Sequence, residues 1–318
     1  MTSHSSSTKP VISLWHCYLL LASAVMTYLL IVMGGVVCVT GSGGGCPDWP
    51  GCYGSIIPPM QTASIIEYLH RLVAGLAFIL IIVAAIVSWR RSGALRWVSW
   101  PSMLAVVLLL VVSAFGAVAV LYGLPPGLAA VDLGTALIVL ALVLTATVVA
   151  FAHRANPTLA AGLSGRASFA RLTFWTLGAI YLVMISGVLV AGKGSLTRCL
   201  GWPLWRQLAM DSPGWPQVVR RLLASLAGLL IIAVVVQAWR TQRRHKGILV
   251  VATAIGLLFL VEMALGALML AVDVTFYLLV IYVAAAAALW AMLVVLALLA
   301  GFTEESISSD VRIASADS

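Results

Sequence analysis

The sequence predicts an all-α integral membrane protein, with eight transmembrane helices arranged as two tandem four-helix bundles. Three observations carry this expectation: the composition, the spacing of apolar runs, and a repeat at an offset near 150 residues. Hydrophobic residues make up 63% and charged residues 9% of the 318 residues, and the mean hydropathy is +1.12. A soluble domain carries roughly 25% charged residues, so that class is excluded. A helical span needs about 20 apolar residues. The chain divides into runs over 16–40, 65–89, 99–122, 129–152, 171–192, 215–239, 248–271 and 276–301.

In chain order, residues 1–15 are a polar tail and 16–152 a first four-helix half with an outer loop at 41–64. A linker at 153–170, a second half at 171–301 and an acidic tail at 302–318 with Glu304, Glu305 and Asp310, expected to be disordered, follow. No basic region precedes the first span, so it reads as an anchor and not a cleaved signal. Basic residues gather in alternate loops: Arg90, Arg91 and Arg96; Arg154, Arg166 and Arg171; Arg240, Arg243, Arg244 and Lys246. The positive-inside rule puts these loops and both termini in the cytoplasm, which fits a multi-pass protein of the cell's inner (plasma) membrane. Loops 41–64 and 123–128 have no Lys or Arg, whereas 193–214 has Lys193, Arg198 and Arg206. The net charge of +8 is spread over loops and not gathered in a patch, so nucleic acid is not an expected partner.

Glu67-Tyr68-Leu69-His70-Arg71 opens the second span. Residues three apart share a helix face, and ionisable groups in a membrane segment usually face a protein interior or cavity. Glu67 and His70 are therefore expected to line a polar or cofactor pocket. The alternative is a helix-end cluster reaching back to the interface. Cys46 and Cys52 flank Pro47 and Pro50 in the first outer loop, where a bend and an oxidising compartment favour a disulfide. Cys17 and Cys38 fall in the first span and read as small apolar fillers.

The repeat is read from three pairs of segments. Cys46-Pro-Asp-Trp-Pro-Gly-Cys52 aligns with Cys199-Leu-Gly-Trp-Pro-Leu-Trp205, 199 − 46 = 153. Glu67-Tyr-Leu-His70-Arg71-Leu72 aligns with Gln217-Val-Val-Arg220-Arg221-Leu222, 220 − 70 = 150, and Ala114-Phe-Gly116-Ala117 with Ala264-Leu-Gly266-Ala267, 266 − 116 = 150. Each half holds an even number of spans, so a pseudo-twofold axis along the membrane normal relates them. Position by position, the second half has Gln217 for Glu67, Arg220 for His70 and Trp205 for Cys52.

The stretch Thr40-Gly-Ser-Gly-Gly-Gly-Cys46-Pro-Asp-Trp-Pro-Gly-Cys52, the Glu67-x-x-His70-Arg71-Leu72 motif, Tyr122-Gly-Leu-Pro-Pro126 and the 4+4 duplication together resemble the haem A synthase family. The resemblance implies oxidation of the ring methyl of haem O to the formyl group of haem A. It implies one histidine on each of the second, fourth, sixth and eighth spans, the first pair serving substrate haem and the second pair a haem b. It also implies a catalytic acid at Glu67, His70 as an iron ligand with Arg71 and Asp132 beside the cofactor, and redox or disulfide chemistry at Cys46 and Cys52.

The sequence departs from that pattern at three of four ligand positions, which read Asp132, Arg220 and, at 132 + 150 = 282, Tyr282. Axial ligation of haem iron needs imidazole, thiolate, thioether or phenolate, and a guanidinium has no lone pair to give. His4, His16, His153 and His245 lie in the tail, at the cytoplasmic start of the first span or in cytoplasmic loops, and cannot substitute. Buried charges need partners, so Glu262 or Asp132 is expected to neutralise Arg220 or Arg221; alternatively, Arg220 holds an anionic group. In the first half, His70 either holds a five-coordinate haem or hydrogen-bonds Asp132.

The expectation that follows is a degenerate, non-catalytic pseudoenzyme. It would be an accessory or assembly subunit of a respiratory-chain complex such as cytochrome oxidase, in contact with membrane lipids and binding no cofactor. The alternative is an active oxidase of the haem A synthase type that uses only the first-half site and one haem. A transporter is a third class, without the paired Gly/Pro interruptions that would mark it. No Gly-rich loop followed by Lys-Ser or Lys-Thr points to nucleotides.

Overall fold

A computed structural model describes residues 12–93, 95–123, 125–156, 168–190, 199, 214–272 and 275–316. The eight helices are α1 (Leu14–Thr40), α2 (Thr62–Ser92), α3 (Arg96–Tyr122), α4 (Pro126–Ala155), α5 (Ser168–Val190), α6 (Trp215–Thr241), α7 (Lys246–Ala271) and α8 (Phe276–Ala316). All eight are long and apolar enough to cross a membrane. Each overlies an expected span with ends within three residues, except α8, which continues past Gly301. The backbone stays helical to Ala316 where composition points to a disordered tail. No proline or glycine interrupts the turns after Gly301, so helical hydrogen bonding propagates there.

Helix ends follow local chemistry. Gly41 closes α1 in the left-handed region at φ 65°, donating its N–H to the Cys38 carbonyl, the backbone that glycine adopts without steric cost. Pro126 opens α4 and Pro216 sits in the first turn of α6, positions where the missing N–H costs nothing.

Within the first half α1 packs on α2 and α4, α2 on α3, and α3 on α4; the second half repeats this with α5, α6, α7 and α8. The halves meet where α1 touches α8 and α4 touches α5 and α8. With no water in the bilayer, polar groups at this seam bond internally. The Tyr28 hydroxyl donates to the Ala284 carbonyl at 3.0 Å and the Trp290 indole N–H to the Leu137 carbonyl at 3.1 Å. Opposite, the Tyr181 hydroxyl lies 2.6 Å from where a Cβ on Gly134 would stand, so a side chain there would require the tyrosine to shift. These two seam contacts follow the repeat offsets, 181 − 28 = 153 and 284 − 134 = 150. Helix α8 is the most enclosed, with Tyr282, Leu289, Leu293 and Leu296 fully buried, while α3 and α7 turn Leu104, Val107, Leu257 and Leu260 outward as a lipid-facing rim.

Candidate functional site

The site is built at the end of the first bundle where α1 stops and α2 starts, and the loop between them folds down onto α2. Gly45 makes this possible: a Cβ there would stand 2.5 Å from the Ala63 backbone carbon and oxygen. The Ser64 hydroxyl donates to the Gly45 carbonyl at 2.6 Å, which fixes the loop on the first turn of α2. Cys46 and Cys52 are disulfide-bonded, as expected, and the Trp49–Pro50 peptide between them is cis. Asp48 caps the turn that follows. Its Oδ2 accepts the Gly54 N–H and its Oδ1 the Tyr53 N–H, each at 2.6 Å. Those N–H groups, Gly54 first, hold the Asp48 carboxyl below its ordinary range.

Glu67 and Arg71, one turn apart on α2, hold the underside of this loop. Glu67 Oε1 is paired with Arg71 Nη2 at 2.5 Å, and Glu67 Oε2 accepts the Cys46 N–H at 2.9 Å. Arg71 donates to the carbonyls of Asp48 at 2.6 Å, Cys46 at 3.1 Å and Gly51. Arg71, expected beside a cofactor, is thus committed to loop carbonyls. The reason is geometric: the rigid guanidinium fork presents several donors at once, which a turn of converging carbonyls satisfies.

His70 is on α2 between these two residues and is differently placed. Its imidazole packs against Gly34 of α1, where a Cβ would stand 3.3 Å from Cε1 and 3.9 Å from Nδ1. Among the described residues, buried Nδ1 has no hydrogen-bond partner, and neither does buried Oδ1 of Asp132 on α4. The His70–Asp132 hydrogen bond offered as an alternative is therefore not formed. The residues present fit a haem on this side, because an imidazole uncommitted to any protein acceptor stands over a glycine that leaves it room.

The second bundle departs from expectation in two respects. Arg220 is buried, and the phenol of fully buried Tyr282 is within electrostatic range of its guanidinium. Among the described residues Glu262, also buried, has both carboxyl oxygens without a hydrogen-bond partner, and the ion pair expected with Arg220 or Arg221 is not formed. Charge alone does not decide which helix faces meet: among the described residues, neither Glu262 oxygen comes within ion-pair distance of a guanidinium. Asp132 is no partner either, since the salt bridge among the described residues joins Glu67 and Arg71. A guanidinium on α6 does not fit axial iron ligation, so this pocket does not match a two-imidazole haem site.

A second disulfide joins Cys38 to Cys199, with a Cα–Cα distance of 5.6 Å. Cys38 is therefore not an apolar filler. A signal was present: Cys199 matches Cys46 by the repeat, while its own loop offers Trp205 in place of a second cysteine, leaving it to pair elsewhere on the outer side. Trp205 itself, with Lys193, Arg198 and Arg206, lies outside the described residues. Cys17 is free and buried, as a filler should be. Gly45 and Asp48 lie inside the loop motif, Gly34 is a small residue placed for close helix approach and Ser64 carried no signal; what each touches depends on segments brought together only by folding.

The COX15-CtaA model, described as cytochrome oxidase assembly protein, matches residues 17–213, which spans the first bundle and α5 and ends before α6. Among curated relatives, the Heme A synthase of Bacillus licheniformis is 33% identical over 69% of this chain and 74% of its own length. Those of Geobacillus kaustophilus and Geobacillus thermodenitrificans are 32% and 33% identical over 80% of this chain and 83% and 82% of theirs. With eight membrane-crossing helices, the outer cysteine loop seated on Glu67 and Arg71, and His70 free over Gly34, this chain belongs to the haem A synthase family of cytochrome oxidase assembly proteins.

Proposed function

We propose that the protein is a membrane oxidase of the haem A synthase type that takes its haem substrate in the first bundle, with His70 as the iron ligand. The observation that carries this reading is the His70 imidazole, packed on Gly34 and hydrogen-bonded to nothing among the described residues. Oxidation of a methyl to a formyl group releases protons as well as electrons. Glu67, one turn from His70 and bonded to Arg71 and the Cys46 N–H, is the acid–base group at hand there. Haem bound here supplies the redox-active iron and the ring methyl; the chain supplies the ligand, the acid and the loop over them. Both termini and the Arg-rich loops face the cytoplasm, and the cysteine loop faces outward.

The test is the absorption spectrum of protein produced with ample haem. Wild type is expected to carry haem with a His70-dependent Soret band, and His70→Ala to lose it. Haem content unchanged by His70→Ala, or absent from wild type, sinks the reading.

A second reading, a non-catalytic accessory or assembly subunit of a respiratory complex, is favoured by the Arg220 and Tyr282 replacements in the second bundle. Stable co-purification with a larger oxidoreductase, together with no haem conversion by the isolated chain, would select it.

A further inference from the structure

The Cys38–Cys199 disulfide crosses from the first half to the second, and its α1 end bears on His70. Cys38 lies four residues beyond Gly34 (38 − 34 = 4), which puts both on one face of α1 about 6 Å apart. Gly34 is the α1 residue whose backbone approaches the His70 ring, with 3.3 Å left for a Cβ. Two further contacts bear on α1: the Tyr28 bond to Ala284 lies ten residues below Cys38, and Gly41 ends the helix three residues above it. Between Tyr28 and the outer surface, the disulfide is the covalent tie that sets where this last stretch of α1 stands. The second half has no equivalent, because position 191, at 38 + 153, is alanine.

We propose that Cys38 and Cys199 are positioning residues for His70: the bond between them keeps the outer end of α1, and with it Gly34, against the imidazole. Reduction by an external dithiol, which supplies two electrons and two protons and leaves as its own disulfide, yields two thiols and releases that stretch. The Cys46–Cys52 bond is a separate element that acts on Glu67 and Arg71 through the Cys46 backbone.

The test uses full-length protein in lipid nanodiscs and two readouts. In haem-free protein, carbethoxylation of His70 by diethylpyrocarbonate is followed by mass spectrometry, with His245 as internal reference. Cys38→Ser, Cys199→Ser and the double variant are expected to label severalfold faster at His70 than wild type, the double no faster than either single. Dithiothreitol is expected to speed labelling of wild type but not of the double variant, and reoxidation to restore the slow rate.

In haem-loaded protein, the same variants are expected to bind haem about tenfold more weakly, the usual loss when a ligand's supporting group is removed. This second arm alone rests on the proposed role of His70 in haem binding. If wild-type haem does not depend on His70, that role fails while the labelling result still decides the positioning claim. Unchanged labelling with only a lower thermal midpoint would make the disulfide a plain crosslink and overturn the proposal. So would free thiols at Cys38 and Cys199 in protein isolated without reductant.

Discussion

Glu67 and Arg71 are salt-bridged one turn apart on α2, and the pair spends its remaining hydrogen-bonding capacity on the backbone of the loop above it. The side chains are 4% and 13% exposed, so the pair is shielded from water, and each member is left without its main partner if the other is removed. Arg71→Ala is expected to cost about 3 kcal/mol, in the range for breaking a buried pair. Arg71→Lys should recover little, since an ammonium cannot span several carbonyls. Cys17, the free buried cysteine, provides the assay: its reaction with a thiol-reactive fluorophore on heating reports the unfolding midpoint.

Gly45→Ala places a methyl 2.5 Å from the Ala63 backbone, which cannot yield as a side chain does. A loss of about 1–3 kcal/mol is expected, as for other overpacked sites. Gly44→Ala, with nothing within 4 Å, should be near neutral. Equal midpoints for the two variants would show that the loop is not seated on α2.

Asp48 gives the outer loop a defined acid limit. Its folded-state pKa is depressed from 3.8 by the Gly54 and Tyr53 N–H groups. A depressed carboxyl contributes stability that is complete above its unfolded pKa, about 3.9, and lost as pH falls through the lower folded value. Amide exchange over residues 52–55 should therefore stay slow from neutral pH to about 4, after correction for the intrinsic pH dependence of exchange. It should accelerate only below that. Asp48→Asn should exchange faster throughout and show no such limit.

Arg220→His combined with Tyr282→His should install two imidazoles at facing positions on α6 and α8. If these are the second-half counterparts of His70 and Asp132, the double variant gains one low-spin haem per chain over wild type. Each single variant should gain none. The haem-to-protein ratio by pyridine haemochrome decides it, and no gain in the double variant would mean the two positions do not face a common space.

Glu262→Leu is expected to stabilise. A buried polar group left without a partner costs about 1–3 kcal/mol, and both Glu262 oxygens are in that state. A midpoint that falls on substitution would reveal a partner for the carboxyl in the membrane.

The number, order and near-exact limits of the membrane helices were legible in the chain. Runs of about 20 apolar residues have one stable form in a bilayer, and the spacing of Gly, Pro and Arg between them marks where each ends. The Cys46–Cys52 bond was also legible, because two prolines between the cysteines bend a short loop back on itself.

Other features were decided only when helices from distant parts of the sequence met. A salt bridge between Arg220 or Arg221 and Glu262 is reasonable from charge counting, yet both Glu262 oxygens lack a partner among the described residues. Cys38 looks like one more small residue in α1 until Cys199, 161 residues away, is brought beside it. Arg71 reads as a cofactor contact until three carbonyls close around it. Which charge finds which partner is fixed by interhelical geometry at the scale of an ångström, and a one-dimensional pattern of apolar and polar residues does not carry that information.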